Sequence, residues 1–429
     1  MAERSAHPGR GTPLRGLIGW ALFDWANSPF TTLIITFVFG AYFSQGIVGD
    51  EIRGAELWGY AISASGLAVA LLSPVLGAIA DVGGRRKPWL LVFTAVCVVG
   101  SAMLWFAEPA PQFAALAMLW VILANLGFEL GIVFNNAMLP DLVPEQRLGR
   151  WSGWAWGLGY FGGLAAMVVA LMGFVQAESP LLGLDTESAE HVRMVGPLAA
   201  LWFVVFVWPL FAFTPDRPAV RLGLAARLGT GLANLAATLR NLRGHGNVVR
   251  FLIARMIYAD GLVTVFAFGG IYAAGTFGMA LEEVILFGIV LNLTAGAGAV
   301  SFAWLDDYLG SKRTIVLALV GLIVTATGAV LARDVTWFWI WGAGLGVFVG
   351  PTQAASRSLM ARLSPEHLRT EFFGLYALTG KATAFVGPGL VAVITAWTES
   401  QRWGLAVVLP FFALGLGLLL TVREERDAG

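Results

Sequence analysis

Five ionisable side chains interrupt long apolar stretches of this sequence: Asp24, Glu129, Arg255, Asp260 and Lys381. A charge surrounded by hydrocarbon is costly, so each of these residues is a candidate for solute binding or proton transfer. Removing a carboxyl group from water raises its affinity for protons, which a proton-coupled carrier requires. The chemistry indicated is reversible binding of a proton or a charged solute.

Asp24 begins a polar stripe on an otherwise apolar helix. The members of the stripe are Asp24, Asn27, Ser28 and Thr31. They lie at positions i, i+3, i+4 and i+7, so they share one helix face. Pro29 removes a backbone donor and is predicted to free the carbonyl of Trp25. Such a stripe lines water or solute, or alternatively fastens neighbouring helices through a buried hydrogen-bond network.

Glu129 shares a second polar face with Asn125 and Asn136. It is a candidate proton or solute site, the alternative being a hydrogen bond that pairs two helices. Asp260, with Thr264 one turn later, is a third candidate and lies about 18 Å along its helix by the usual rise per residue.

The two intramembrane cations have several partners open to them. Arg255 lies about 10 Å beyond the start of its helix, so it either extends to the membrane surface or forms an ion pair. Lys381 lies about 14 Å into its own helix and needs an anion nearby. We expect its partner to be Asp24, Glu129, Asp260 or the carboxylate of a substrate.

Composition identifies the elements that position these groups. The 429 residues are 58% hydrophobic and 13% charged, about half the charge of a soluble domain. A membrane span needs about 20 predominantly apolar residues, and unbroken apolar runs of that length indicate helices. Twelve spans are predicted, at 17–44, 56–80, 89–107, 113–139, 151–175, 196–213, 248–276, 281–304, 314–332, 336–360, 372–396 and 402–422.

The loop Gly77–Pro88, with the sequence GAIADVGGRRKP, sets the orientation. Its cations Arg85, Arg86 and Lys87 are predicted to stay cytoplasmic, and most of the 27 Lys and Arg then fall on the same side. We therefore expect cytoplasmic tails at 1–16 and 423–429, six-helix bundles at 17–213 and 248–422, and a cytoplasmic linker at 214–247.

The linker is predicted to form an amphipathic helix on the inner leaflet, acting as a tether or alternatively in regulation. Its apolar stripe consists of Leu228, Leu232, Leu235, Leu239 and Leu242, with Arg227, Arg240 and Arg243 nearby.

Two short sequence similarities relate the two predicted bundles. The residues DVGGRRK at 81–87 resemble DYLGSKR at 307–313, and LVPEQ at 142–146 resembles LSPEH at 363–367. Parallel six-helix repeats of this kind occur in transporters.

Several other functions lack the necessary residues. The four histidines and the single cysteine offer no intramembrane metal site, and the net charge of zero gives no basic field for nucleic acid. Gly157, Gly159 and Gly162 match a dinucleotide-binding pattern, but inside an apolar helix they indicate close helix packing. No ATP-binding motif or convergent catalytic set is found, so we expect neither an enzyme nor a cofactor.

The arrangement resembles the major facilitator superfamily. The pattern Gly77-x-x-x-Asp81-x-x-Gly84-Arg85-Arg86 is similar to its signature loop, departing from it at Val82, where a basic residue is common. The stretch WALFDWANS at 20–28 resembles the vacuole-effluxer-like family, whose fungal members export amino acids from the vacuole. Further similar stretches lie at 251–261, 269–275, 353–358, 371–374 and 380–385.

The resemblance implies a rocker-switch carrier with a cavity walled by spans 1, 4, 7 and 10. It also implies a gating role for the loop residues Gly77, Asp81, Gly84, Arg85 and Arg86, and Asp307 occupies the matching position of the second half.

We therefore expect a monomeric secondary transporter of the cell membrane that moves a small polar solute, amino acids being one class, with protons as the coupling ion. The predicted substrate and proton site comprises Asp24, Asn27, Thr31, Asn125, Glu129, Asp260 and Lys381. An exporter of drugs or other amphiphiles with the same fold, or a membrane receptor or scaffold without transport, is the alternative.

Overall fold

The computed structural model describes residues 12–177, 179–220, 222–240 and 242–424, and it contains helices and loops but no strand in those ranges. Most of the two predicted tails, 1–11 and 425–429, lies outside the described residues. The α-helices of the first six spans are α1 Leu14–Pro29, α2 Phe39–Tyr42, α3 Glu51–Gly83, α4 Lys87–Met103, α5 Ala114–Leu142, α6 Leu148–Ala170, α7 Glu190–Arg193 and α8 Val195–Phe213. Helix α9, Leu224–Arg240, belongs to the linker.

The last six spans consist of α10 Gly246–Phe277, α11 Leu281–Leu309, α12 Ser311–Leu331, α13 Val335–Leu363, α14 Arg369–Ala382, α15 Val386–Thr398, α16 Gln401–Ala406 and α17 Val408–Leu420. Eleven helical segments in the described ranges are long and apolar enough to cross a membrane by themselves. The twelfth span is α13, whose 29 residues include a polar stretch at its end. The all-helical, twelve-span prediction is confirmed.

The two halves meet along a few helix pairs. Helix α6 packs against α11, and α3 packs against α14. Small residues permit the first contact, since a Cβ atom added to Gly153 would lie 2.6 Å from the carbonyl oxygen of Ala299. The close helix packing predicted at Gly157 and Gly162 is also confirmed, since a Cβ atom there would lie 2.4 Å from the Val300 side chain and 2.7 Å from the Trp25 carbonyl oxygen, respectively.

The contact between the halves is closer at one end of the molecule than at the other. Helix α14 packs on α3 of the other half, whereas the neighbours of α15 are chiefly α10 and α16 of its own half. The closed end carries the Gly77–Pro88 loop, the linker and the segment after α17, and we call it the linker face. The contact between α3 and α14 therefore holds the two halves together at the linker face.

The first span is irregular after Pro29. Helix α1 ends at that residue and the chain continues as π-helix through Phe30–Phe37. The indole nitrogen of Trp202 donates a hydrogen bond to the carbonyl of Trp25, at 3.3 Å. The predicted release of that carbonyl by the proline is confirmed, and a neighbouring helix satisfies it.

The eleventh span differs from the prediction. The sequence predicted one helix over 372–396, but the structure interrupts it between Ala382 and Val386. Pro388, which has no backbone N–H, lies in the first turn of α15, where that nitrogen needs no helical partner, whereas in an unbroken helix it would leave the carbonyl of Ala384 unpaired.

The linker helix α9 lies against α3. A Cβ atom added to Gly231 would meet the backbone of Ile79 at 2.9 Å, so the two helices touch directly. Three leucines of the predicted apolar stripe, Leu228, Leu232 and Leu239, are exposed on α9. The predicted amphipathic character therefore has a bundle-facing and an outward-facing part. The side chains of Leu242 and Arg243 lie outside the described residues.

Candidate functional site

Arg357, which the sequence analysis did not single out, is the most extensively bonded intramembrane charge between the halves. Its side chain projects from α13 and is 2% exposed. One terminal nitrogen contacts the Asp24 carboxylate at 2.8 Å and the Asn136 amide oxygen at 3.2 Å. The remaining nitrogens donate to the hydroxyl and carbonyl of Ser152, at 2.9 and 2.7 Å.

Two aromatic rings enclose this guanidinium group. Its carbon lies 5.1 Å from the ring centre of Trp20 and 5.7 Å from that of Trp156. A planar, weakly hydrated cation suits such a site, because it both stacks on rings and donates in several directions. Asp24 in α1 is thus joined to α13 of the other half by a charged, largely desolvated bond.

Lys381 forms the second charged contact between the halves. Its ammonium lies 2.6 Å from the Glu129 carboxylate of α5, so among the partners left open by the sequence the structure selects Glu129. The lysine side chain is 31% exposed and the glutamate 19%, against 2% for Arg357 and 14% for Asp24. Water and small solutes therefore reach this pair more easily than the Asp24–Arg357 pair.

The other two predicted ionisable groups do not join these pairs. Arg255 donates to the carbonyl of Tyr376 at 2.8 Å, and its guanidinium carbon lies 3.4 Å from that ring centre. The ion pair considered for Arg255 does not form among the described residues, because a backbone carbonyl and a ring serve the cation instead. Asp260 is 3% exposed and forms no ion pair in the described part of the chain.

The neutral members of the predicted site are separated from one another. Asn125 donates to Ser65 at 2.7 Å, which is a contact inside the first six spans. Asn27 is 5% exposed, and its amide nitrogen has no partner within the described chain. Thr31 is half-buried on the π-helical part of the first span. None of these three forms a described bond to the other half.

The Asp81 carboxylate lies at the linker face against the start of α14. It accepts hydrogen bonds from the Thr370 hydroxyl at 2.6 Å and from the backbone nitrogens of Thr370 and Glu371 at 3.2 and 2.9 Å. The first backbone nitrogens of a helix have no partner within the helix. Asp81 of the first half therefore caps α14 of the second half. Gly77 permits the approach, since a Cβ atom there would lie 2.4 Å from the Thr370 carbonyl.

Three arginines converge on Asp141, forming what we call the Asp141 cluster. Arg86, Arg217 and Arg369 each pair with its carboxylate. Burial lowers the pKa of the Arg86 guanidinium and the charge of Asp141 raises it again, and an arginine remains cationic under such shifts. Arg85, predicted to gate with Arg86, is exposed.

Gly84 shapes the loop that presents Arg86. Its φ of 79° lies in the left-handed region, and a Cβ atom would lie 2.3 Å from the carbonyl oxygen of Pro218. Only glycine adopts this conformation and admits this approach without strain.

A cluster of opposite sign is centred on Arg362 of the second half, and we call it the Arg362 cluster. Arg362 lies 3.5 Å from Glu145, 3.8 Å from Asp306 and 3.5 Å from Glu424. Beside it, Asp307 accepts from the backbone nitrogen of Arg150 at 3.1 Å, at the start of α6. Asp307 therefore meets span 5 much as Asp81 meets span 11.

Similarity to known proteins agrees with this architecture. The family model described as vacuole effluxer Atg22 like matches residues 44–150 and 146–428. The chain belongs to the vacuole effluxer Atg22-like family. An uncharacterized MFS-type transporter of Bacillus subtilis, YxiO, is 26% identical over 415 residues, covering 95% of this chain and 94% of the relative. Autophagy-related protein 22 of Coccidioides immitis is 25% identical over 455 residues, covering 89% and 75%.

Solved structures of low identity share the fold. A bacterial homologue of the iron transporter ferroportin in the outward-facing state has a TM-score of 0.70 at 15% identity, covering 95% of this chain and 98% of that one. The proton:xylose symporter XylE has a TM-score of 0.69 at 14% identity, covering 96% and 95%. This Atg22-like protein is thus a multi-pass membrane transporter of the major facilitator superfamily, and not an enzyme.

Arg357 was missed for an identifiable reason. It lies near the end of the predicted span 336–360, where a cation ordinarily extends to the membrane surface. The available signal was its position within the polar run TQAASRS at 352–358, since a span end needs no string of small hydroxyl residues unless another helix packs there.

Proposed function

We propose that this transporter moves a small zwitterionic solute of the amino-acid class across the cell membrane by alternating access, coupled to protons. In this proposal the protein acts as a monomer and the linker face is cytoplasmic. The observation that carries the proposal is the Lys381–Glu129 pair, which is 2.6 Å long, joins the two halves and is partly exposed.

The chemistry of the pair favours a zwitterion. A solute with one ammonium and one carboxylate group offers Glu129 a cation and Lys381 an anion, so it replaces both partners at once. Removing one partner alone would leave a charge uncompensated in a poorly hydrated place, at a cost of several kcal/mol in the buried limit. A singly charged solute of either sign therefore fits this site less well.

Protonation supplies the coupling step. A proton that binds the Glu129 carboxylate neutralises it and releases Lys381, so the bond between α5 and α14 is lost. The same event at Asp24 would release Arg357, but that pair is more deeply buried and has neutral partners in Asn136 and Ser152. We therefore assign the coupling proton first to Glu129.

The linker-face contacts form the gate of the cycle. Asp81, with Gly77, holds α3 against α14, the Asp141 cluster joins the loop to the linker and to Arg369, and Asp307 holds α11 against α6. All three must separate for the cavity to open to the cytoplasm. Their charges and helix-end hydrogen bonds stabilise the closed state without touching solute.

Uptake into proteoliposomes tests the proposal. A labelled amino-acid mixture is offered with and without an imposed pH gradient to the native protein, to Glu129→Gln, and to Glu108→Gln, an equal change at an exposed loop residue. We expect the gradient to accelerate uptake by the native protein and by Glu108→Gln. The Glu129→Gln variant should lose the gradient dependence and exchange solute more weakly, because it no longer offers a carboxylate to the ammonium group of the solute.

Two results would count against the proposal separately. Gradient-driven uptake that survives in Glu129→Gln removes this carboxylate from coupling. Absence of amino-acid uptake and exchange in native protein that is folded and inserted rejects the substrate class.

A further inference from the structure

The interruption of span 11 brings unpaired oxygen atoms together inside the membrane. Helix α14 ends at Ala382 and α15 begins at Val386. Between them the backbone bonds are shorter-range ones, from Ala384 to the Lys381 carbonyl at 3.4 Å and from Val386 to the Thr383 carbonyl at 2.8 Å. Non-helical backbone at membrane depth is tolerated where it faces protein or a ligand site, and in transporters such breaks hold ions.

Asp260 of α10 lies against this interruption. Its carboxylate is 3% exposed, and Oδ1 has no hydrogen-bond partner among the described residues. The Thr383 hydroxyl lies beside the carboxylate, but its oxygen also lacks a partner within hydrogen-bond geometry. Asp260 Oδ1 and the Thr383 hydroxyl are thus two buried polar atoms without a described hydrogen bond, which is costly unless something else binds there.

A third oxygen is held in place by close packing. The Thr264 hydroxyl donates to the Asp260 carbonyl at 2.6 Å, which leaves its lone pairs available. Gly387, in the first turn of α15, lies directly on this group, since a Cβ atom there would be 2.0 Å from the Thr264 hydroxyl and 3.1 Å from the Asp260 carbonyl. Helices α10 and α15 therefore meet at the oxygen group.

The neighbouring cations do not fill the site. Arg255 is held by the carbonyl and ring of Tyr376, and Lys381 is held by Glu129. Asp260 is consequently a buried carboxylate without a protein counter-charge among the described residues, and a buried charge of that kind binds a cation or neutralises itself.

We propose that Asp260, Thr264, Thr383 and the interrupted backbone between α14 and α15 bind a sodium ion. One carboxylate with neutral hydroxyl and carbonyl oxygens matches a single positive charge. Calcium and magnesium are usually held with more carboxylates or bound waters, and zinc prefers nitrogen and sulfur.

The site is separate from the Lys381–Glu129 pair but is connected to it through the chain. Lys381 lies in the last turn of α14, two residues before Thr383. A sodium ion that joins α10 to both parts of span 11 fixes the angle between α14 and α15 and so the position of the Lys381 ammonium. Ion occupancy would then influence the solute site without contacting solute.

Direct binding tests the site without any substrate. Radioactive sodium is bound to purified full-length protein in detergent, at constant ionic strength maintained with choline chloride. We expect saturable binding by the native protein, loss of binding in Asp260→Asn, and affinity lowered at least about tenfold in Thr264→Val and Thr383→Val. Thr325→Val is the matched control, because its hydroxyl donates to the Gly321 carbonyl at 2.7 Å within its own helix.

The outcomes that overturn the site are distinct. No saturable sodium binding by monodisperse native protein at any pH where it is folded would mean that Asp260 binds a proton alone, and the proposal fails. Sodium binding of native affinity in Asp260→Asn or in Thr383→Val also rejects it. If Asp260→Asn does not fold, Thr383→Val decides. Because no solute is present, failure of amino-acid transport leaves this result unaffected.

Discussion

Replacing Asp141 with asparagine should shift this transporter toward the state that is open at the linker face. The carboxylate of Asp141 pairs with Arg86, Arg217 and Arg369. Arg369 belongs to the second half, so this pair is broken when the halves separate. The Asp141–Arg86 contact lies within the first half, so we expect it to persist when the halves separate.

The size of the shift follows from the exposure of the groups. Asp141 and Arg369 are 20% and 18% exposed, between a surface pair worth at most about 1 kcal/mol and a buried pair whose breakage costs about 3–5 kcal/mol. We take about 1–2 kcal/mol for the Asp141–Arg369 interaction, which is present only in the state closed at the linker face. This free energy corresponds to a factor of about 5–30 in the ratio of the closed to the open state. The Arg86 contribution largely cancels, because it stabilises both states.

Pulsed electron spin resonance measures this ratio. The native Cys97 is buried and is replaced by alanine, and spin labels are attached at Gln146→Cys and His367→Cys. Both positions are exposed, on equivalent turns of the two halves at the linker face. Asp141→Asn should raise the long-distance population by the calculated factor. The control is Glu366→Gln, whose carboxylate is 80% exposed and lies 3.8 Å from Arg217, and it should change nothing measurable.

An unchanged distance distribution in Asp141→Asn would refute the reasoning, since it would mean that the Asp141 cluster does not stabilise the closed state. An equal shift in the Glu366→Gln control would refute it differently, by showing that any lost charge at this face opens the gate.

Three further substitutions have defined consequences for stability. Arg357→Met leaves the Asp24 carboxylate without its cation and should destabilise the protein by about 3–5 kcal/mol, seen as a lower thermal midpoint, with partial recovery when Asp24→Asn is added. Gly84→Ala forces a side chain into a φ of 79° and should cost more than about 1 kcal/mol, whereas Gly83→Ala should be near neutral in the same unfolding assay. Trp202→Phe loses one hydrogen bond to the first span and should cost about 1 kcal/mol, measured by denaturant or thermal unfolding.

The sequence was sufficient for the spans and for part of the site, because apolar length and helical spacing are local properties. It identified Glu129 and Lys381 separately, and the freed carbonyl at Trp25. It did not determine that Lys381 meets Glu129, because their contact depends on how two bundles pack, and the two residues are 252 positions apart. The partners of Arg357 could not be predicted from the sequence for the same reason, since they all lie in the other half.

The spacing of residues in the sequence could not predict the oxygen group around Asp260 either. Thr383 contributes only because span 11 is interrupted, and the sequence predicted a continuous helix there. Pro388 was a local sign of that interruption, but membrane helices also tolerate an interior proline, so this residue alone did not exclude an unbroken span.

The two halves repeat the same hydrogen-bonding requirement with different residues. At the start of α4 in the first half, Asp216 of the linker accepts from the backbone nitrogens of Arg86 and Lys87, at 3.0 and 3.1 Å. In the second half, Glu424 accepts from Ser311 and Lys312, at 2.9 and 3.0 Å, at the start of α12. The backbone N–H groups at a helix start donate to an aspartate or a glutamate carboxylate that can reach them. The residue type therefore differs between the halves while the contact is the same.

The two charge clusters show that the sign of the central charge can also differ between the halves. Asp141 and Arg362 each precede the leucine of the repeated turn, yet one is an acid among three arginines and the other an arginine among three acids. What the fold requires at this position is a central charge with neighbours of the opposite sign, and either sign meets it. A comparison of residue types between the halves therefore underestimates their symmetry, because the requirement is for compensated charge and a paired helix start. The sequence similarity between the two halves is retained at Asp81 and Asp307. At these positions an aspartate accepts from the start of a helix of the opposite half in each case.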